Sequence, residues 1–509
     1  MIRIVSFAVF IAAIGAASPG RTADIPQAQD PYYVSANAEL RAALKRTPNT
    51  RPAKNIILFV GDGMGVTTVT AARIYQGQKA GRDGASNKLV FEQLPYAAFS
   101  RTYSHDSQVT DSAPSASAMT TGVKSQNGVL NVSSAVAEND CKAGLANPTT
   151  TIAELAEAAG MSTGTVTTTR VTHATPAAAY AHAAGRDWEG DADMKPDDIA
   201  AGCLDIARQL VEMRHGDGLD VVMGGGRSRF LPADVADPEY PDKNGARKDG
   251  RNLVEAWARR YRGDAAYVWN RQGFDALDTK RTRRVLALFE PENMAFELDR
   301  PKDPAGEPSL AEMTAKAIAI LRRNPNGYFL LVEGGRIDHA HHGSNAARAL
   351  EDTVAFDAAV KTALDTVNLR DTLVIVTADH SHVLTMAGYP SRKNPILGLV
   401  DGPDGKPVLA LDQKPYTTLG YANGPGAAKQ DEFREDLSNV DTTAPDYRQQ
   451  SLVPMRAETH GGEDVPIYAA GPWAHLFQGT VDQQYIFHVM NHAGRIKQRA
   501  DKRSRLKER

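Results

Sequence analysis

Apolar and polar positions in this chain repeat one order: a short unbroken apolar run, a glycine-bearing turn, then a longer stretch with helical spacing. Residues 56–60 (IILFV), 221–223, 329–332 (FLLV), 373–377 (LVIVT) and 465–470 are the apolar runs, with a threonine-rich one at 163–168. Runs this short and this uniformly apolar read as strands covered on both faces, the pattern of a parallel sheet. Residues 152–159, ended by Gly160, and the stretches 309–322 and 346–364 have helical spacing. The alternation predicts an α/β fold with a largely parallel central sheet flanked by helices. Residues 386–456 break the order, being rich in Pro, Gly, Tyr and Asp and without helical periodicity. They are expected to form an inserted lobe of strands and loops, with residues 24–385 and 457–509 making the α/β domain.

The same runs position reactive side chains. Asp62 follows 56–60 within GDGMG, Glu333 ends 329–332, and Asp379 and His380 follow 373–377. Open α/β sheets bind their ligands at the carboxyl ends of the strands, so these residues are expected to meet at one edge. Residues 328–343 (YFLLVEGGRIDHAHHG) crowd Asp338, His339, His341 and His342 behind a glycine turn. A helix there shares one face between Asp338 and residues three and four further on, so spacing leaves both His341 and His342 as partners. Carboxylates converging with imidazoles suit a divalent cation such as zinc. Ser112, in the small-residue stretch 110–122 (TDSAPSASAMTTG), stands at a predicted helix start, with Asp111 or Ser112 as the cap and Pro114 in the first turn. The exposed amides of such a start favour an anion. His173 and Thr175 follow the threonine-rich run, Arg186 lies in GRDW, and His460 sits in the glycine-flanked ETHGGED. The turn after 56–60 lacks GxGxxG and the chain has no HExxH, so neither a dinucleotide site nor a zinc-protease helix is supported.

Composition adds limits. The chain has 509 residues, 42% hydrophobic and 23% charged, with a formal net charge of −3. The composition is that of an ordinary globular protein, and the net charge argues against a nucleic-acid binder that works by bulk charge. Basic residues concentrate in 495–509, expected to be the solvated end of a last helix, with a polyanion contact as the minor alternative. Residues 1–23, with Arg3, an apolar core at 4–17 and small residues after it, read as a signal peptide. The protein is therefore expected to be exported, periplasmic or secreted. No other run reaches spanning length and no hydrophobic tail follows, so no membrane anchor is expected. Export makes a bridge between Cys141 and Cys203 the expectation.

Taken together, GDGMG at 61–65, TDSAPSASAMTTG at 110–122, RVTHATP at 170–176, GRDW at 185–188, VEGGRIDHAHH at 332–342, TADHSH at 377–382 and ETHGGEDV at 458–465 closely resemble the motifs of alkaline phosphatase, in that family's order. His173 and Thr175 bring the sequence nearer to the animal enzymes and their bacterial relatives than to the enterobacterial type. The resemblance implies an enzyme that hydrolyses small phosphate monoesters at alkaline pH through a phosphoserine, with no nucleic acid required. It implies two Zn2+ and one Mg2+ per subunit. Asp338, His342 and His460 would hold one zinc; Asp62, Asp379 and His380 the other; Asp62, Thr175 and Glu333 the magnesium. His342 is thereby chosen over His341. Ser112 matches the nucleophile, Arg186 the phosphate-binding arginine, and His173 a residue beside the magnesium. A peripheral Ca2+ is implied at Glu239, the Phe289 carbonyl, Glu290 and Glu307, with Glu307 standing where an aspartate is usual. The resemblance strengthens the Cys141–Cys203 bridge, makes 386–456 a crown lobe on the sandwich-like catalytic domain, and implies a homodimer. The nearest rival is a phosphodiesterase or sulfatase of the same superfamily. Glu333, Thr175 and Arg186 argue against it, because a third cation and a guanidinium suit a dianionic monoester. A metal- or phosphate-binding module without turnover is the rival from another class, and the intact Ser112 motif argues against that.

Overall fold

The computed structural model describes residues 25–429 and 432–507, so the expected signal peptide at 1–23 lies outside the described residues. The chain divides into two compact units, residues 1–48 and 49–509. In the first, a 3-10 turn at Pro26–Gln29 precedes the helix Pro31–Leu44. Asp30 caps that helix, its carboxylate accepting from the Tyr32 N–H at 2.8 Å, and Pro31 takes a first-turn position that needs no N–H. The helix buries none of its residues.

The second unit contains strands β1 (Asn55–Gly61), β2 (Tyr96–Arg101), β3 (Ser162–Arg170), β4 (Val221–Gly225), β5 (Ala265–Val268), β6 (Arg284–Leu288), β7 (Tyr328–Gly334), β8 (Thr372–Ala378), β9 (Ser381–His382), β10 (Leu384–Met386), β11 (Leu419–Gly424), β12 (Ser451–Pro454), β13 (His460–Gly461), β14 (Val465–Ala470) and β15 (Thr480–Asp482). A 10-stranded sheet runs in the order β15-β2-β14-β8-β1-β7-β3-β4-β6-β5. β14 is antiparallel to both its neighbours, and the other pairings in the sheet are parallel. The unbroken apolar runs have a direct cause. Along β1, Ile56, Leu58 and Val60 enter one core layer, while Ile57 and Phe59 enter the other. β7 splits Phe329 and Leu331 from Leu330 and Val332 in the same way. Each such side chain, fully buried, contributes roughly 1.5–3 kcal/mol relative to exposure.

Helices Ser112–Thr121, Ile152–Ala158 and Tyr485–Gly494 cover the first layer, and Val66–Lys79, Leu310–Leu321 and Ala346–Thr366 the second. Within 386–456 the described residues form no α-helix; β11 and β12 join β10 in a separate 3-stranded sheet. Cys141 and Cys203 are disulfide-bonded, with Cα atoms 6.0 Å apart. In the chain-entropy account a loop of this length adds roughly 4 kcal/mol. Within the basic stretch the described residues form the helix Ile496–Lys507, held to the core by Ile496 and Ala500.

Candidate active site

Strand register builds the floor of the site. Val60 pairs with Glu333, and Gly61 pairs with both Gly334 and Ala378. Asp62 therefore stands beside Asp379, with Glu333 one pair behind, and all three are fully buried. Part of this oxygen set is occupied. Gly63 N and His380 N donate to Asp379 Oδ1 at 3.0 and 2.9 Å, and the Thr169 and Thr167 hydroxyls donate to Glu333 Oε2. The rest has no hydrogen-bond partner: both oxygens of Asp62, Oε1 of Glu333, Oδ2 of Asp379, and the hydroxyl of Thr175, with His380 Nε2 at 3.4 Å from Asp62 Oδ1 and 3.3 Å from Asp379 Oδ2. Burial raises the Asp62 carboxyl well above its ordinary range, and the charges of Asp379, Asp338 and Glu333 raise it further. Burial likewise raises Asp379 and pushes Glu333 up to about 7. Acids gathered out of water with oxygens to spare need divalent cations to stay ionised, and this donor set fits them. Asp62, Asp379 and His380 offer ligand atoms within 4.8 Å of one another, as do Asp62, His173 and Glu333.

Ser112 opens the helix Ser112–Thr121, capped by Asp111, whose Oδ1 accepts from Ala113 N at 2.7 Å. Ser112 Oγ lies 3.2 Å from His380 Nε2, which brings the hydroxyl to the carboxylate floor. Arg186 reaches the same place from its loop. Its Nη1 donates to Asp111 Oδ1 at 3.1 Å and its Nη2 lies 3.0 Å from His173 Nε2. Against burial, the charges of Asp111 and Asp187 keep the guanidinium protonated, while burial and Arg186 hold His173 neutral. A fixed planar guanidinium beside a hydroxyl at a helix N-terminus is a phosphoryl-sized anion seat.

Asp338, His342, His382 and His460 form the other half. The short pair β9–β13 sets His382 opposite His460, carrying His460 over the site from 118 residues beyond His342. Asp338 Oδ1 is 3.3 Å from His342 Nε2, 2.8 Å from His382 Nε2 and 3.4 Å from His460 Nε2. Burial alone would raise Asp338, but the charge of His342 and hydrogen bonds from His342, His382 and His460 hold it well below its usual range. The other ring nitrogens are anchored: His342 Nδ1 on Glu458 O at 2.6 Å, and His460 Nδ1 on Thr110 O at 2.8 Å.

His341, which spacing left as a possible partner of Asp338, points elsewhere. It is fully buried, its Nε2 at 3.0 Å from the Thr68 hydroxyl and its Nδ1 at 2.8 Å from the Tyr421 hydroxyl. Sequence reasoning missed two residues. Asp111 was seen as a cap but also orients Arg186. His382, within TADHSH, joins Asp338 and places its Nδ1 2.5 Å from Glu458 Oε2. Those two carboxylates overcome burial and raise its pKa to about 10. Gly63 has φ +68°, and a Cβ there would lie 2.3 Å from His382 Cδ2, so the GDGMG turn needs glycine at this point.

The peripheral acids gather differently from expectation. Glu239 and Glu290 meet Asp303, and Glu307 is not in the group. Glu307 Oε1 instead accepts from Ala295 N at 2.9 Å, and burial with the charges of Glu290 and Asp303 pushes it up to about 9. The Phe289 carbonyl already accepts from Arg227 Nη1 at 3.0 Å, and Arg227 Nη2 donates to Glu239 Oε2 at 3.0 Å.

An α/β sheet that delivers a serine, an arginine and three groups of carboxylates and imidazoles to one edge defines a metal-using hydrolase. The alkaline phosphatase family model matches residues 53–496. The chain is 46% identical over 477 residues to the tissue-nonspecific isozyme of alkaline phosphatase from Gallus gallus, covering 92% of this chain and 90% of that protein. It is 46% identical over 462 residues to the alkaline phosphatase of Gadus morhua, covering 90% and 95%. Among solved structures, the alkaline phosphatase of Thermus thermophilus superposes with a TM-score of 0.63 at 24% identity, covering 92% of this chain and 98% of that one. The chain belongs to the alkaline phosphatase family. It is a phosphoric monoester hydrolase, and its family is metal-dependent.

Proposed function

We propose that hydrolysis proceeds by double displacement through Ser112, on a site that holds two Zn2+ and one Mg2+ per subunit. The observation that carries this reading is the set of buried oxygens without hydrogen-bond partners on Asp62, Thr175, Glu333 and Asp379, next to the Ser112 hydroxyl. Asp338, His342 and His460 would hold one zinc and Asp62, Asp379 and His380 the other, since imidazole suits zinc. The all-oxygen set Asp62, Thr175 and Glu333 suits magnesium. When bound, the cations favour the deprotonated form of an oxygen they touch and offset charge on the phosphoryl group and the departing alkoxide.

The protein's own groups do the rest. Arg186, held by Asp111, grips two phosphoryl oxygens, and the amides at the helix start add to that seat. Ser112 Oγ, its proton released to solvent, attacks phosphorus on the side opposite the ester oxygen; the P–O bond to the alcohol breaks, the alkoxide takes a proton from solvent, and phosphoserine forms. Water then attacks the phosphoserine, its proton going to solvent, and inorganic phosphate leaves with Ser112 restored. Turnover therefore rises toward basic pH. His173, kept neutral, accepts from Arg186 and fixes its second arm.

The same reading extends to the whole chain. Residues 386–456 act as an inserted crown lobe, and the protein works as a homodimer; exposed Tyr389, Leu411, Phe433 and Leu452 in that lobe, and the helix Pro31–Leu44, none of whose residues is buried, support this. A peripheral Ca2+ would be held by Glu239, Glu290 and Asp303, with Asp303 in the place expected of Glu307. Export to the periplasm or outside is proposed from residues 1–23; among the described residues no helix is long and apolar enough to cross a membrane.

Acid quenching during turnover of a phosphate-labelled monoester, with metal content measured on the same sample, tests the core of this reading. Label on Ser112 and zinc with magnesium at two to one are expected. Full turnover with no label on Ser112 overturns the displacement scheme.

A further inference from the structure

At the amino ends of the strands, opposite the catalytic edge, the helix Ile496–Lys507 closes a groove against the starts of β3, β4, β6 and β7. Gly160, Ser162, Asp220, Arg283 and Asn324 line it, with Arg503 from the helix. Two lobes of about 640 and 550 Å3 share these residues and make one continuous trough. The first lobe adds Arg214 and the second adds Lys280 and Arg323.

Charge in the trough is unbalanced. Its acids are partly offset from behind: the single charge of Arg284 is shared between Asp217 at 2.5 Å and Asp220 at 3.6 Å. Glu157 is pushed up to about 8 by burial, and so is largely protonated at neutral pH. Among the cations, Arg283 has the exposed Asp264 at 3.4 Å. Arg214, Lys280 and Arg503 form no ion pair among the described residues. Arg323 spends its guanidinium on the carbonyls of Lys280 and Thr282, which leaves its charge uncompensated.

Arg503 is built into place. Gly160 has φ +74°, and a Cβ there would fall 1.3 Å from Arg503 Nη1, so the guanidinium lies directly on the glycine backbone. Asn324 fixes the floor, its Nδ2 donating to Gly160 O at 3.0 Å and Ser162 Oγ at 3.2 Å. Arg499 donates to Asn326 O, tying the helix to the start of β7.

We propose that this trough docks an extended inorganic polyphosphate chain, remote from the hydrolytic site. Spaced cations along a recessed path match a linear row of phosphates. Neither lobe is lined by Phe, Tyr or Trp, so the stacking platforms that hold single-stranded nucleic acid are absent from the lining. A bilayer meets a flat or convex face, and this one is recessed. Because the trough and Ser112 lie at opposite edges of the sheet, the trough tethers the chain and does not cleave it.

The test uses the full, metal-loaded protein and polyphosphate blocked at both ends as phosphoramidate, so that no terminal phosphate enters the catalytic site. Arg214→Gln/Arg283→Gln/Arg503→Gln is expected to bind it roughly tenfold or more weakly than wild type, with the log–log salt slope smaller by about 2 and monoester turnover unchanged. Oligodeoxythymidylate of equal charge and phosphatidylglycerol vesicles are expected to bind wild type more weakly than polyphosphate. Equal affinity of the triple variant and wild type overturns the proposal, as does tighter binding of the oligonucleotide or the vesicles. Should the triple variant fail to fold, phenylglyoxal modification of wild type decides. Arg283 and Arg503 are expected to be protected by polyphosphate, and modification at an unchanged rate overturns the assignment.

Discussion

The two edges of the ten-stranded sheet solve opposite electrostatic problems with the same strands. At the carboxyl edge Asp62, Glu333 and Asp379 are fully buried, and several of their oxygens have no hydrogen-bond partner. At the amino edge the acids Asp217 and Asp220 are already met by Arg284, and arginines are left over in an open trough. The carboxyl edge is short of positive charge and the amino edge is short of negative charge. The peripheral acids lie between these cases: Arg227 supplies an internal cation beside Glu239 and takes the Phe289 carbonyl. An acidic cluster therefore asks for a metal in proportion to what the protein has not already provided.

The largest break in this contrast comes at the nucleophile. Ser112→Ala is expected to lower monoester kcat by at least ~10³-fold while metal content stays as in wild type; a variant that keeps most of its rate removes Ser112 from the chemistry. His382 tests the imidazole half of the carboxyl edge. As the group that orients Asp338, its replacement in His382→Ala is expected to weaken zinc affinity by ~10–100-fold in a chelator competition, with kcat largely regained at saturating zinc. Unchanged affinity means that Asp338 is held without it. Asp111→Asn keeps the helix cap but removes the charge facing Arg186, and is expected to raise the phosphate inhibition constant by about tenfold. An inhibition constant that does not move shows that Arg186 is positioned by His173 alone.

The smallest effect belongs to the amino edge. Burial, with Asp220 and Asp217 nearby, pushes Glu157 up to about 8 from an ordinary value near 4.5, although Thr163 donates to it. The folded chain thus holds this proton more tightly than the unfolded chain. The stabilisation is complete below about pH 4.5 and is lost as pH rises through about 8. Glu157→Gln, which keeps an acceptor for Thr163, is expected to raise Tm at pH 9 by about 2 °C and to leave it unchanged at pH 4. Equal shifts at both pH values would assign the effect to packing instead.

Much of the carboxyl edge was legible in the chain because each ligand-type residue sits just past, or at the end of, a strand whose apolar run is unmistakable. β1, β7 and β8 are buried on both faces, so their runs are unbroken and their ends are sharp. β2 was not legible, because its burial alternates, Phe99 is exposed, and its short run YAAF is half alanine. His382 was hidden for a different reason. It follows two stronger candidates in TADHSH, and its role depends on β13 arriving from residue 460.

The sequence by itself determined the α/β alternation, the residue types at the strand ends and the family motifs, because local pattern and backbone direction are properties of neighbouring residues. Spacing left His341 and His342 open and the family motifs chose His342; only the tertiary structure showed where His341 goes and that His382 joins the site. His341 turns to Thr68 and Tyr421, while His342 and His382 meet Asp338. It also replaced Glu307 by Asp303 in the peripheral group and gathered Arg214, Arg283 and Arg503 into one trough. Those choices depend on which surfaces pack together, and packing partners hundreds of residues apart leave no periodic trace in the chain.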